Sequence, residues 1–380
     1  MTTDSPPDRP IVLSGWSAAS PFGLGAEAFT DGLTAGHAAT APLDRDHWGG
    51  PYDTAGLIPD FTVAGVLGRK GTRALDRSTG IALATVGLLL DQYDGELGAD
   101  PEDIGLVLGI GATSVQSIMD FSRASQAGER PYDVDPALFP NTVQNRATGA
   151  GAIRYGLKGP NTTISGGSLT SLLALNYAVR MHRQGHGRVF LCGAVEEYSA
   201  QRARLEWHGG GPGGGGAPGP LGEGCAVFLT ETAAGARAAG RQPLATVLGS
   251  RFLAFHSPGS VGATLARAVT EVLAAAGATA ADVRVVAPGE APGPLGAQEE
   301  AGLDRALGPA AAAAAAPVRL RVRRLLGDTG AASAGFQLAA VLALARTQQQ
   351  PDGALALVTS VSPAGTVGCT LLRLEHPAVA

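Results

Sequence analysis

The chain has 380 residues, 45% apolar and 16% charged, enough for a sizeable core in one large domain or two fused halves. A net charge of −5 with scattered Lys and Arg excludes the electrostatic footprint of a DNA- or RNA-binding protein. No stretch reaches the roughly 18 apolar residues of a bilayer-spanning helix. The start, MTTDSPPDRP, is acidic and proline-rich, unlike a signal peptide. Cys192, Cys225 and Cys369 each sit inside an apolar, strand-like run, so buried reduced thiols and a cytoplasmic location are expected. His182 and His186, four apart near a helix end, are expected in solvent, and no metal site is expected.

Strands and helices alternate along the chain. PIVLSG (Pro10–Gly15) reads as a first strand, Gly80–Tyr93 as a helix and GLVLGI (Gly105–Ile110) as the next strand. Asn161–Ser165 leads into a helix from Ser168, and RVFLCG (Arg188–Gly193) and CAVFLT (Cys225–Thr230) follow as buried strands. Such uninterrupted apolar runs suit a sheet covered on both faces. The glycine-rich segment His208–Gly224 reads as a flexible surface loop without helix or strand; it lacks the GxxxxGK[ST] of a phosphate cradle.

After residue 236 the pattern restarts: a strand at Leu244–Ser250, a helix at Val261–Ala276, a strand at Asp282–Ala287 and a helix at Ala297–Leu307. Arg319–Arg323 alternates like a strand with one solvated face, an anion site being the other reading of its arginines. A helix at Ala332–Gln348 and strands at Ala354–Thr359 and Gly368–Leu374 close the chain. The recurrence predicts an α/β fold of two similar halves, residues 1–236 and 237–380, packed as alternating α and β layers.

The segment TISGGSLTSLLALNY places Ser168 at a strand-to-helix turn, where nucleophiles are often held. A serine-hydrolase elbow, G-x-S-x-G, would need a glycine where Thr170 stands, and no later histidine has a convincing setting. Ser168 is therefore read first as the N-cap of its helix.

Around it, GPNTTISGGS, the strand ending GAVE (Gly193–Glu196) and PLGEGCAVFLTE together closely resemble the β-ketoacyl synthases of the thiolase superfamily. The order of strands and helices matches over essentially the whole chain, so the resemblance implies the thiolase-like fold. It also implies that the catalytic set is gone. The family's acyl-accepting cysteine, whose chemistry needs a thiolate, falls on Ser168. Its first histidine falls on Gly289, its lysine on Arg323 and its second histidine on Asp328, where a carboxylate would repel the enolate. Pro363 falls where the family's C-terminal loop donates an oxyanion N–H, and proline has none.

A chain of this kind resembles a chain-length factor, the ketosynthase β subunit of type II polyketide systems. That implies a heterodimer with a catalytically complete ketosynthase, acyl groups delivered on a phosphopantetheinyl acyl carrier protein, and no cofactor of its own. Val115, Ile118 and Met119, one face of a helix, correspond to the segment lining the interface tunnel, ordinary core packing being the other reading. Phe139 falls in the next interface loop. Two other readings stay open: altered chemistry at Ser168 (acyl transfer, hydrolysis or dehydration), and a homodimeric acyl-binding protein.

Overall fold

The computed structural model describes residues 10–209, 219–308, 316–346 and 350–375. The first half contributes β1 (Ile11–Ser20), β2 (Gly23–Leu24), β3 (Ala41–Pro42), β4 (Thr54–Gly56), β5 (Ile104–Ile110), β6 (Asn161–Ile164), β7 (Val189–Glu196), β8 (Leu221–Gly222) and β9 (Gly224–Thr232). The second contributes β10 (Ala245–Ala254), β11 (Val283–Ala287), β12 (Val318–Arg319), β13 (Leu355–Ser362) and β14 (Thr366–Leu374). Helices α1 (Ala26–Ala35), α2 (Arg45–Trp48), α3 (Val63–Leu67), α4 (Arg77–Asp91), α5 (Val115–Ala127), α6 (Arg146–Tyr155), α7 (Thr170–Arg183) and α8 (Ala200–Gly209) lie in the first half. Then come α9 (Ala233–Ala238), α10 (Val261–Ala275), α11 (Pro294–Leu307), α12 (Arg323–Leu326) and α13 (Ser333–Arg346).

The main sheet runs β12-β11-β13-β14-β10-β1-β9-β7-β5-β6. Its two sides repeat one another. In the first half β1–β9 and β9–β7 are antiparallel and β7–β5 and β5–β6 parallel; in the second β10–β14 and β14–β13 are antiparallel and β13–β11 and β11–β12 parallel. β1 and β10 join the sides antiparallel. The strands change sides between β9 and β10, while the expected division after residue 236 falls inside α9.

Helices α7 and α13 pack together between the two sides, sharing one core cluster with strands from both. Helices α4 and α6 cover the outer face of the first side, and α10 covers that of the second with α11 against it. The result is an α-β-α-β-α stack. It explains why β7 and β13 are buried at every residue, because layers above and below remove the polar face a surface strand would need. Helix α13, SAGFQLAAVLALAR, is buried nearly all round for the same reason.

Several expectations need correction. The strand at Arg319–Arg323 stops at Arg319, and α12 follows. Its arginines are drawn into ion pairs with neighbouring carboxylates. Arg319 and Arg321 pair with Glu300, Arg323 with Asp328 and Arg324 with Glu290. His182 is not in solvent: its Nε2 lies 3.1 Å from Thr230, its ring meets Phe190 edge-on, and burial pushes its pKa down to about 4. Of the glycine-rich segment, residues 210–218 lie outside the described residues, but its ends are regular structure, in α8 and β8. All three cysteines are free and buried, with thiol pKa values pushed up by burial. No helix among the described residues is long and apolar enough to cross a membrane.

Candidate functional site: a filled seat at the layer junction

The chain leaves β6 through Ser165 and Gly166 and makes a 3-10 turn, Gly167–Leu169, before α7 begins. Gly167 takes φ +60, and a Cβ there would lie 2.5 Å from Ser362 Oγ, so the turn is both left-handed and tightly approached. Ser168 is not the N-cap expected. Thr170 holds the local backbone instead, accepting from Gly166 N–H (3.0 Å) and donating to Gly167 O (2.6 Å). The Ser168 hydroxyl reaches across to the other half, donating to Val361 O (3.0 Å) and accepting from Ser360 Oγ (3.1 Å). Neither partner is a base, so nothing at the hydroxyl can take its proton.

The C-terminal strands close the site from that side. Ser360 and Val361 belong to β13, and Pro363 and Ala364 form the exposed turn to β14. Ala364 N–H is engaged by Ser362 Oγ (3.2 Å) and Gly365 N–H by Ser362 O (3.1 Å). Pro363 lacks a donor and the two residues after it are bonded back to Ser362, so none of the three presents a free N–H.

Gly289 follows β11 and lies against the same strand. A Cβ there would meet Ser360 Cα at 3.2 Å and Glu299 Oε1 at 3.3 Å, so a side chain would need β13 or Glu299 to shift. Beneath it Glu299 is fully buried, accepting from Gly289 N–H (2.8 Å), Ala291 N–H (3.3 Å) and Thr359 Oγ1 (2.8 Å). Burial raises its pKa, and these donors oppose the shift.

Asp328 comes to the junction on the turn before α13. Its Oδ2 accepts from Arg323 (2.7 Å) and its Oδ1 from Gly330 N–H (2.9 Å). The neighbouring 3-10 turn, Gly330–Ala332, packs on the Ser168 turn. Ser168, Gly289, Asp328, Arg323 and the Pro363 turn thus converge, yet each polar group is tied up. Outside them opens a cleft of about 430 Å³ lined by Glu290, Arg321, Arg323, Arg324 and Asp328, whose charges are paired with one another or with Glu300.

One buried cation fixes this junction. Arg202 on α8 donates to Glu197 O and Gly222 O (both 2.9 Å) and to Asp328 O (3.0 Å), with Glu196 3.9 Å away. Nothing in the sequence marked Arg202: its partners lie as far as 126 residues away.

The residues expected at a tunnel lie on α5 and on the 3-10 helix that follows it. Val115 is buried, Ile118 half-buried and Met119 46% exposed, so the α5 stripe turns from core to surface within one turn. Phe139 lies not in a loop but in a 3-10 helix, Pro136–Thr142, at 55% exposure and with its ring 5.8 Å from Phe121. Leu138 and Tyr132 beside it are also exposed, as is Ile153 on α6. Helix α6 packs on β6, the last strand of the sheet, whose outer edge is unpaired among the described residues.

A family model for the N-terminal domain of β-ketoacyl synthases matches residues 8–208. The chain belongs to the β-ketoacyl synthase family. Among curated relatives, the second granaticin polyketide β-ketoacyl synthase of Streptomyces violaceoruber is 31% identical over 93% of this chain and 90% of its own. The α subunit of the tetracenomycin polyketide ketoacyl synthase of Streptomyces glaucescens is 29% identical over 73% and 72%. The match to the first granaticin synthase is shorter, spanning 46% of that relative. Among solved structures, the ishigamide ketosynthase/chain length factor aligns at 40% identity and TM-score 0.88, covering 97% of this chain and all of that one. A type II polyketide acyl-carrier protein in complex with its ketosynthase shares the fold at 17% identity and TM-score 0.77. The thiolase-like fold expected from sequence is therefore that of the protein.

Proposed function

We propose that this β-ketoacyl synthase homologue is the chain-length-factor subunit of a type II polyketide or fatty-acid synthase, pairing with a condensing ketosynthase. The observation that carries the reading is the filled seat. The Ser168 hydroxyl is committed to Val361 and Ser360, Gly289 has no side chain, and Asp328 is held by Arg323. The condensing chemistry needs a thiolate and donors aimed at developing charge, and this junction offers neither. The likeness to the ishigamide ketosynthase/chain length factor supports the same assignment.

The partner docks on the face carrying the β6 edge, α6 and α5. An unpaired strand edge is a template for another chain, and the exposed Met119, Leu138, Phe139 and Ile153 are the apolar surface such an interface covers. Val115, Ile118, Met119 and Phe139 then line one wall of an acyl tunnel closed by the partner. Acyl groups arrive on the phosphopantetheine arm of an acyl carrier protein, so this subunit holds no cofactor of its own.

Ser168→Ala tests the vestigial seat directly. In the complex reconstituted with its ketosynthase, turnover and product length should stay within about twofold of the parent, because no transition-state contact is lost. A fall of about a hundredfold or more at intact assembly would make Ser168 a nucleophile and overturn the reading.

A further inference from the structure

Helix α5 has little of its own to hold it in place. Of its 13 residues only Val115 is buried, so most of its length gains little from burial. Its first turn is instead tethered by a buried carboxylate from the end of β7. Glu197, 3% exposed, accepts from Ser114 Oγ (2.8 Å) through Oε1 and from Ser78 N–H (3.0 Å) through Oε2. Ser114 is the N-cap of α5, and the same hydroxyl accepts from Ser117 N–H (3.1 Å).

The residue before the cap adds a second, independent sign. Thr113 is β-branched, buried and held at φ +62, a conformation that costs free energy and persists only where its surroundings impose it. Its hydroxyl donates to Val143 O (3.3 Å), at the end of the 3-10 helix that carries Phe139. A continuous chain of contacts thus runs from β7 through Glu197, Ser114 and Thr113 to both elements of the proposed tunnel wall.

We infer that Glu197 is a positioning residue for α5, fixing through Ser114 the helix start from which Ile118 and Met119 project. Its effect on products rests on the tunnel reading above; its effect on the helix does not. The charged groups around it are Asp76 at the start of α4, Glu196 on β7 and Arg202 on α8. Burial, with Asp76 adding to it, pushes the Glu197 carboxyl up to about 8, while Ser114 and Ser78 pull the other way. Ionised, it is the stronger acceptor for Ser114, so the first turn of α5 tightens as pH rises through about 8. Global stability moves oppositely. A raised native pKa contributes stability that is complete below the unfolded value and is lost as pH rises through about 8.

Hydrogen exchange on the full chain tests this. Glu197→Ala should lower the protection of amides 115–119 by about tenfold or more while β7 and β9 keep theirs. Ser114→Ala, a smaller change that spares the core, should act alike, and the double variant should add little. Glu197→Gln should restore most of the protection at pH 7 and abolish its rise with pH. Unchanged protection in both alanine variants, or protection lost uniformly across the chain, would overturn the inference. In the reconstituted complex Glu197→Ala should broaden the product range. A loosened α5 with unchanged products at intact assembly would uphold the positioning role and overturn the tunnel reading instead.

Discussion

Replacing Arg202 by methionine should destabilise the chain by about 3–5 kcal/mol, the loss expected when a buried ion-paired group is deprived of its partner. Arg202 is 5% exposed, and its guanidinium gathers three carbonyls from β7's end, β8 and the Asp328 turn. Methionine fills part of the volume but leaves those carbonyls without their donor and Glu196 without its cation. Glu196 is already penalised by burial, which raises its pKa. The variant should therefore lose stability most above the pH at which Glu196 ionises, and chemical unfolding at two pH values reads this. A loss under about 1 kcal/mol would mean that the junction is held by its apolar neighbours alone.

The second large effect concerns products. Ile118→Trp in the complex should lower the longest product relative to shorter ones by about tenfold or more, a discrimination that steric exclusion from an apolar channel can reach. Ile118 is half-buried at the start of α5, where extra volume can project toward a partner without opening the core. Met119→Trp, from the more exposed neighbour, should act in the same direction. Product profiles by mass spectrometry, at confirmed stoichiometric assembly, decide it. Unchanged profiles in both variants would leave α5 an interface helix with no tunnel role.

The fold was legible because it is written in local pattern. Fully apolar runs such as VFLCG and CAVFL require two covering layers, and the repeated β-α order required two alike halves. Arg319–Arg323 misled because alternation alone does not distinguish a strand from a turn whose arginines are drawn to carboxylates on different elements, Arg319 and Arg321 to Glu300 and Arg323 to Asp328. The motif register pointed to Ser168, Gly289, Arg323, Asp328 and Pro363, but what each of them contacts could not be read from it. Ser168 finds its partners 192 and 193 residues away, and no local signal could reveal that its hydroxyl bonds to β13 rather than capping α7. Glu197 was invisible for a related reason: a glutamate beside another at a strand end reads as solvated until the structure buries it against Ser78 and Ser114.

The central claim is that this chain completes another ketosynthase and does not itself condense. Native mass spectrometry of the protein isolated from its own host, with sequencing of whatever accompanies it, tests that most directly. The account predicts an equimolar complex with a second β-ketoacyl synthase that retains the cysteine and both histidines. A homodimer with no such companion would contradict it.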